Sequence, residues 1–271
     1  MPIVYALANQ KGGVGKTTTA VNVGACLAQW GQRVLIVDVD PQANATSSLG
    51  IDKRTVSLST YDLLVHGTPL LRIVQSIARP ARLDLAPAAP ARAGATVELV
   101  SLPRREYRLR QALTGLDHKY DYVLIDCPPS LGILTVNALA ATDGVIIPVQ
   151  CEYLALEGLS QLARAIDLVR RALNPELKVR GLAMTMYDAR TTLSRQVVEE
   201  VQCHFPGLVF DTIIPRSVRL SEAPSYGEPI IFYAPRSAGA VAYAKLTQEL
   251  LVGDGRLEPP AKDRPTLAAS R

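Results

Sequence analysis

The chain has 271 residues, 48% of them hydrophobic and 20% charged, which suits one large α/β domain with a full core and excludes a disordered protein. A net charge of +4 permits contact with an anionic surface without establishing it. Membrane spanning and disulfide scaffolding are excluded. No apolar run reaches the ~18 residues a span needs. Met1-Pro2 leads straight into an apolar strand rather than a signal peptide. Cys26, Cys127, Cys151 and Cys203 lack C-x-x-C spacing, so reduced core thiols of a cytosolic protein are expected.

In chain order, Ile3–Ala8 is the first strand, and Thr17–Gln29 the first helix. Between them lies Asn9-Gln10-Lys11-Gly12-Gly13-Val14-Gly15-Lys16-Thr17-Thr18-Thr19. Strand, glycine-rich turn and helix, in that order, make a phosphate-binding loop. Backbone N–H groups of Gly12, Gly13, Val14 and Gly15 line the loop, and the helix that opens near Thr18 points its positive end at the same spot. Lys16 reaches β- and γ-phosphates, and the Thr17 hydroxyl ligates Mg²⁺. A nucleoside triphosphate and Mg²⁺ are therefore expected at the loop. The ordinary motif requires a glycine at position 10; Gln10 stands there, and a second lysine, Lys11, opens the loop.

The second strand, Arg33–Val37, runs into Asp38-Val39-Asp40-Pro41. Two carboxylates two residues apart at a strand end point the same way, as metal and water ligands or as a solvated Asx turn. Helix Thr60–His66 follows, then a weak strand, Arg82–Ala86, inside a loop-laden stretch from Pro80 to Ala95, and helix Arg105–Thr114. Strand Tyr122–Ile125 ends on Asp126, a Walker B pattern that places Asp126 on the metal. Helix Thr135–Ala141, strand Gly144–Val149, helix Glu157–Leu173, strand Val179–Met186, helix Leu193–His204, strand Thr212–Ile214 and helix Ala238–Leu251 complete the pattern. Short β-branched strands alternating with helices predict a doubly wound, mostly parallel sheet with helices on both faces. In such sheets ligands sit beyond the carboxyl ends of the strands, where Asp38, Asp40, Asp126 and Glu152 all fall. Glu152 is either a contact to a second subunit or a helix N-terminal acid. Residues 1–252 are expected to form one P-loop domain, and 253–271, with Pro259, Pro260 and Pro265, a flexible tail.

The K-G-G-x-G-K-T-T loop resembles the deviant Walker A loop of the ParA/MinD class of ATPases. D-V-D-P-Q-A-N-A-T-S from Asp38 and D-C-P-P-S-L-G from Asp126 are similar to the two switch segments of Soj-type ParA proteins, and the likeness runs from about Pro2 to Leu251. The resemblance implies a partitioning ATPase. Lys11 would cross to the partner's nucleotide in an ATP sandwich dimer, and Asp40 would activate water besides serving the metal network. The segments around Met186 and Pro215-Arg216-Ser217 would border the adenine. Arg190 and Arg219 match positions where the family grips DNA, with Arg195, Arg216 and Arg236 as neighbours. Relatives often carry asparagine at the position of Ser217 and glycine at that of Ala43. Non-specific double-stranded DNA and a ParB-type centromere-binding protein are the implied partners, and the nucleoid is the implied location. The related nitrogenase iron proteins use two axis cysteines, which Cys127 has no placed mate to supply. A MinD-like membrane regulator shares the loop but needs a basic amphipathic C-terminal helix, which Gly253-Asp254-Gly255-Arg256-Leu257-Glu258-Pro259-Pro260 cannot make. A metabolic P-loop ligase such as a cobyrinate synthetase relative would need a carboxylate-substrate pocket that no motif here announces.

Overall fold

The computed structural model describes residues 1–90, 95–116, 118–152 and 155–258. Its strands are β1 (Ile3–Leu7), β2 (Val34–Asp38), β3 (Gln75–Ser76), β4 (Leu83–Ala86), β5 (Tyr122–Asp126), β6 (Gly144–Gln150) and β7 (Lys178–Thr185). They form one sheet in the order β3-β4-β2-β5-β1-β6-β7, parallel throughout except for the two-residue edge strand β3. The helices are α1 (Lys16–Gln29), α2 (Asn44–Ser48), α3 (Thr60–His66), α4 (Leu70–Ile73), α5 (Ala95–Val100), α6 (Arg108–Ala112), α7 (Ile133–Ala141), α8 (Ala155–Ala172), α9 (Thr192–His204), α10 (Val218–Glu222), α11 (Ile230–Tyr233) and α12 (Ala238–Gly253).

Strict alternation along each strand divides the core in two. Val4, Ala6, Val123 and Ile125 join one apolar cluster, with α3, α6, α7 and α9 against it. Tyr5, Leu7, Tyr122 and Leu124 join the other, beneath α1 and α12. Burial on both faces explains why these strands read as unbroken apolar runs. Cys26, Cys127 and Cys151 are buried as expected, whereas Cys203 is exposed, because it lies on the outer side of α9.

Two expected elements are corrected. Thr212–Ile214 is not a strand. The Asp211 and Thr212 N–H groups donate to the Glu249 carboxylate of α12 at 2.7 and 3.1 Å, which diverts them from the ladder. Isolated bridges, Leu182 to Val209 and Tyr187 to Pro215, and the bond from Ile214 N–H to the Met184 carbonyl (2.8 Å) tie this segment along β7 and just beyond it without a continuous ladder. Arg105–Thr114 is not one helix but a 3₁₀ turn, Arg105–Tyr107, followed by α6. Asn137 of α7 reaches between them, donating to the Arg105 carbonyl at 2.7 Å and accepting from the Leu109 N–H at 3.2 Å.

Asp254, just past α12, is buried at the opposite end of the sheet from the glycine loop. Its carboxylate accepts from the hydroxyls of Tyr5 (2.7 Å) and Tyr122 (3.0 Å) and from Arg180 Nε (2.9 Å). Arg180 also donates to the Leu250 carbonyl and lies over the Phe210 ring. Strands β1, β5 and β7 are thereby clasped to the end of α12, so the ordered chain runs past residue 252. The remainder of the expected tail, 259–271, lies outside the described residues.

Candidate nucleotide site and basic shelf

The loop follows β1, which lies between β5 and β6 in the sheet. Gly13 and Gly15 have φ of +74° and +89°, left-handed conformations that an L side chain resists, and Gly15 stands immediately before α1. Asn9 braces the entry: its amide donates to the Pro148 carbonyl at 2.8 Å and its oxygen accepts from the Lys11 N–H at 3.1 Å. The Val14 carbonyl accepts from Thr185 Oγ1 at 2.9 Å. Lys16 is only 6% exposed, and its ammonium donates to the Lys11 carbonyl at 2.9 Å. Burial lowers its pKa, against the opposing effect of the neighbouring Asp126 and Asp40 carboxylates. The Lys11 ammonium faces Glu152 of its own chain at 4.0 Å, a loose and solvent-screened contact.

The carboxylates converge as expected. Thr17 Oγ1 donates to Asp126 Oδ2 at 2.7 Å, and the other oxygen, Oδ1, is buried with no partner. A hydroxyl and an unspent carboxylate oxygen on one edge are donors that a hard cation or its water accepts, so the residues present fit Mg²⁺. Asp126 is raised well above the ordinary carboxylate pKa by burial and by the charge of Asp38. Asp38 is itself pushed up to about 7 by burial, against the hydrogen bonds it accepts from Thr46. Those bonds, from the Thr46 N–H (2.9 Å) and Oγ1 (2.7 Å), commit Asp38 to holding α2. Asp40 is buried and accepts from the Gln42 N–H at 2.9 Å. Among the described residues no cluster of three His, Cys, Asp or Glu side chains forms a metal cage. Cys127 is fully buried, and burial pushes its thiol pKa up, which makes it inert.

Beside the loop a cleft of about 300 Å³ is lined by Gly15, Thr18, Met186, Pro215, Ser217 and Tyr243, among others. Met186, at φ +53°, turns the chain there. The structure thus brings the expected base-contacting residues together with the loop. The same two segments continue outward into a second concavity of about 450 Å³, whose lining includes Tyr187, Asp188, Arg190, Arg216 and Val218. They are joined by the bonds from Tyr187 N–H to the Ile214 carbonyl (3.1 Å) and from Arg216 N–H to the Tyr187 carbonyl (2.9 Å). Arg219 follows on α10, exposed. Arg195 on α9 and Arg236 between α11 and α12 are exposed but do not line this concavity. Sequence reasoning missed Asn9, Thr46, Asp188 and Glu222. Asn9 carried a signal, a buried amide directly before the loop, whereas the other three reveal their partners only in the folded chain.

A family model described as an AAA domain matches residues 3–179. The sporulation initiation inhibitor protein Soj of Bacillus subtilis (strain 168) is 56% identical over 247 residues, 91% of this chain and 97% of that protein. The chromosome partitioning protein ParA of Myxococcus xanthus (strain DK1622) is 51% identical over 94% of this chain and 90% of that one. The chain belongs to the ParA/Soj family of chromosome-partitioning ATPases. Among solved structures, one described as cobyrinic acid a,c-diamide synthase of Mycobacterium smegmatis with bound ADP and magnesium is 39% identical. It has a TM-score of 0.82 and covers 96% of this chain and 98% of that one. The doubly wound P-loop architecture of the ParA/Soj family is therefore the architecture of this chain. No helix among the described residues is long and apolar enough to cross a membrane.

Proposed function

We propose that this chain is an ATP- and Mg²⁺-dependent DNA segregation ATPase whose ATP-bound form is a sandwich dimer that holds DNA without regard to sequence. The observation that carries this reading is the continuity of two segments. Those that wall the base cleft at Met186 and Pro215 also bear Arg190, Arg216 and Arg219, so nucleotide and basic shelf share one scaffold. Lys16 leaves the Lys11 carbonyl for the β- and γ-phosphates. Thr17 and the free Oδ1 of Asp126 would hold Mg²⁺, which when bound would supply neutralisation of the charge on the phosphates. Asp40 orients the attacking water. Lys11 and Glu152 face the second copy, with Gly12 at the seam. Met186, Pro215 and Ser217 border the adenine. Arginines on each copy contact phosphates, and a dimer doubles their number. A ParB-type centromere-binding partner triggers hydrolysis and release, and the protein resides in the cytoplasm on the nucleoid.

DNA retention measured with ATP, with ADP and without nucleotide tests the proposal. Tight binding with ATP alone, falling steeply with salt, is expected. Equal binding in all three states overturns it. The name of the Mycobacterium neighbour supports a second reading, an ATP-dependent amide-forming synthase. Higher identity over nine-tenths of the chain favours partitioning. ATP turnover stimulated by DNA together with a ParB-type partner, and not by a corrinoid carboxylate with glutamine or ammonia, separates the two. The MinD-like membrane alternative is less supported, and co-sedimentation with anionic vesicles would reveal it.

A further inference from the structure

Two of the exposed arginines proposed for DNA, Arg190 and Arg219, are already engaged by acids of their own chain. Arg190, 87% exposed at its side chain, is bound in bidentate fashion by Asp188: Nε to Oδ1 at 2.9 Å and Nη2 to Oδ2 at 2.7 Å. Arg219, 61% exposed, donates from Nη1 to Glu222 Oε2 at 2.9 Å. Each acid is positioned by a donor besides the guanidinium. Asp188 Oδ1 accepts from the Arg190 backbone N–H at 3.0 Å in an Asx turn, and Asp188 is mostly shielded, 18% exposed at its side chain. Glu222 Oε2 accepts from the Tyr233 hydroxyl at 3.0 Å, and the Tyr233 ring stacks on Tyr226 at 4.8 Å. By contrast, Arg195, Arg216 and Arg236 have no ion pair among the described residues.

We infer that Asp188 and Glu222 are acid clamps that compete with DNA phosphate for Arg190 and Arg219 and so hold the affinity of the shelf below what its arginines could supply. This rests on the DNA-binding reading above and adds to it the residues that set its strength. A phosphate that takes the N–H donors now given to the acid, Nε and Nη2 of Arg190 or Nη1 of Arg219, displaces a carboxylate, which is an exchange rather than an addition, while one on the remaining donors meets the acid's charge close by. Exposed pairs of this kind are individually weak, so phosphate wins the exchange where several contacts act together and loses it where one acts alone. A lone subunit would then let go of DNA, and a dimer, with two shelves, would hold it. The depressed pKa of Asp188, pulled down to about 2 by Arg190, keeps that clamp charged throughout the physiological range.

The test measures DNA binding of the full chain with ATP across a salt series. It compares wild type with Asp188→Asn, Glu222→Gln, the double variant, Arg190→Glu and Arg219→Glu. Asparagine and glutamine retain the oxygens that accept from the Arg190 N–H and the Tyr233 hydroxyl, and unchanged thermal melting checks that the shelf stays folded. Each acid variant is expected to bind about fivefold tighter at low salt, with a salt dependence steeper by about one power per arginine released. If the Arg→Glu variants lose DNA while the acid variants match wild type in affinity and slope, the clamp is wrong and the DNA surface stands. Weaker binding by the acid variants also overturns the clamp, since the acids would then be orienting the arginines. If the Arg→Glu variants bind as wild type does, the DNA surface is misplaced and the clamp falls with it.

Discussion

Asp38, Asp40 and Asp126 crowd the edge of the sheet around Lys16, and each is held by a different kind of donor. Asp38 has a threonine clamped on it, Asp40 a turn N–H, and Asp126 the Thr17 hydroxyl. Because burial raises Asp38 and Asp126, the folded chain without nucleotide keeps protons that the unfolded chain releases. Native-state stability is then fullest below the ordinary carboxylate pKa near 4 and is lost as pH rises through about 7. Asp38→Asn can keep the Thr46 bonds through its amide oxygen but removes the titration. In urea unfolding of the nucleotide-free chain, it should lose less stability than wild type between pH 5 and pH 8, by roughly 1–3 kcal/mol. An unchanged difference would place the strain elsewhere. Asp40→Ala should bind ATP yet hydrolyse it at least about a hundredfold more slowly, accumulating a DNA-bound dimer. A normal steady-state rate would show Asp40 misassigned. The meeting of these carboxylates beside the loop was legible in the sequence because a lysine loop and two strand-end aspartates sit at fixed offsets. The commitment of Asp38 to Thr46 was not, because it depends on Ala43 taking φ +55° to launch a helix of only five residues. That conformation is strained for alanine, whereas glycine takes it freely.

At the scale of elements, strands and long helices followed from hydrophobic alternation, while short pieces did not. Helix α4 has four residues and β3 two, too few for any period to register. Thr212–Ile214 has the composition of a strand but loses its ladder to Glu249, a contact 37 residues away from Thr212 in the chain. The Asp254 clasp was equally hidden, since it joins residues 5, 122, 180 and 254. Arg180 is mostly buried, so removing its carboxylate leaves a cation without a counter-charge and two tyrosine hydroxyls without their acceptor. Asp254→Ala should therefore destabilise the fold by about 3 kcal/mol in urea unfolding, with ATP affinity per folded molecule unchanged. A loss below about 1 kcal/mol would mean that water replaces the carboxylate freely.

At the scale of the molecule, the proposed sandwich dimer would set a second copy against the loop. A Cβ built on Gly12 meets only Pro129 Cβ, at 3.9 Å, so one chain accommodates a side chain there without strain. Gly12→Val should melt at the wild-type temperature and bind nucleotide, yet stay monomeric with ATP in light scattering. A dimer in that experiment would move the seam away from the loop. The bond between the Lys16 ammonium and the Lys11 carbonyl also imposes an order of events on assembly. Where the ammonium turns to a phosphate and gives up that carbonyl, the peptide group so released belongs to the very residue that would reach across to the other copy. Filling one's own site would thus come before freedom to complete a neighbour's. A nucleoside monophosphate, with no β-phosphate to offer in the trade, would leave the chain solitary however well its base fitted the cleft.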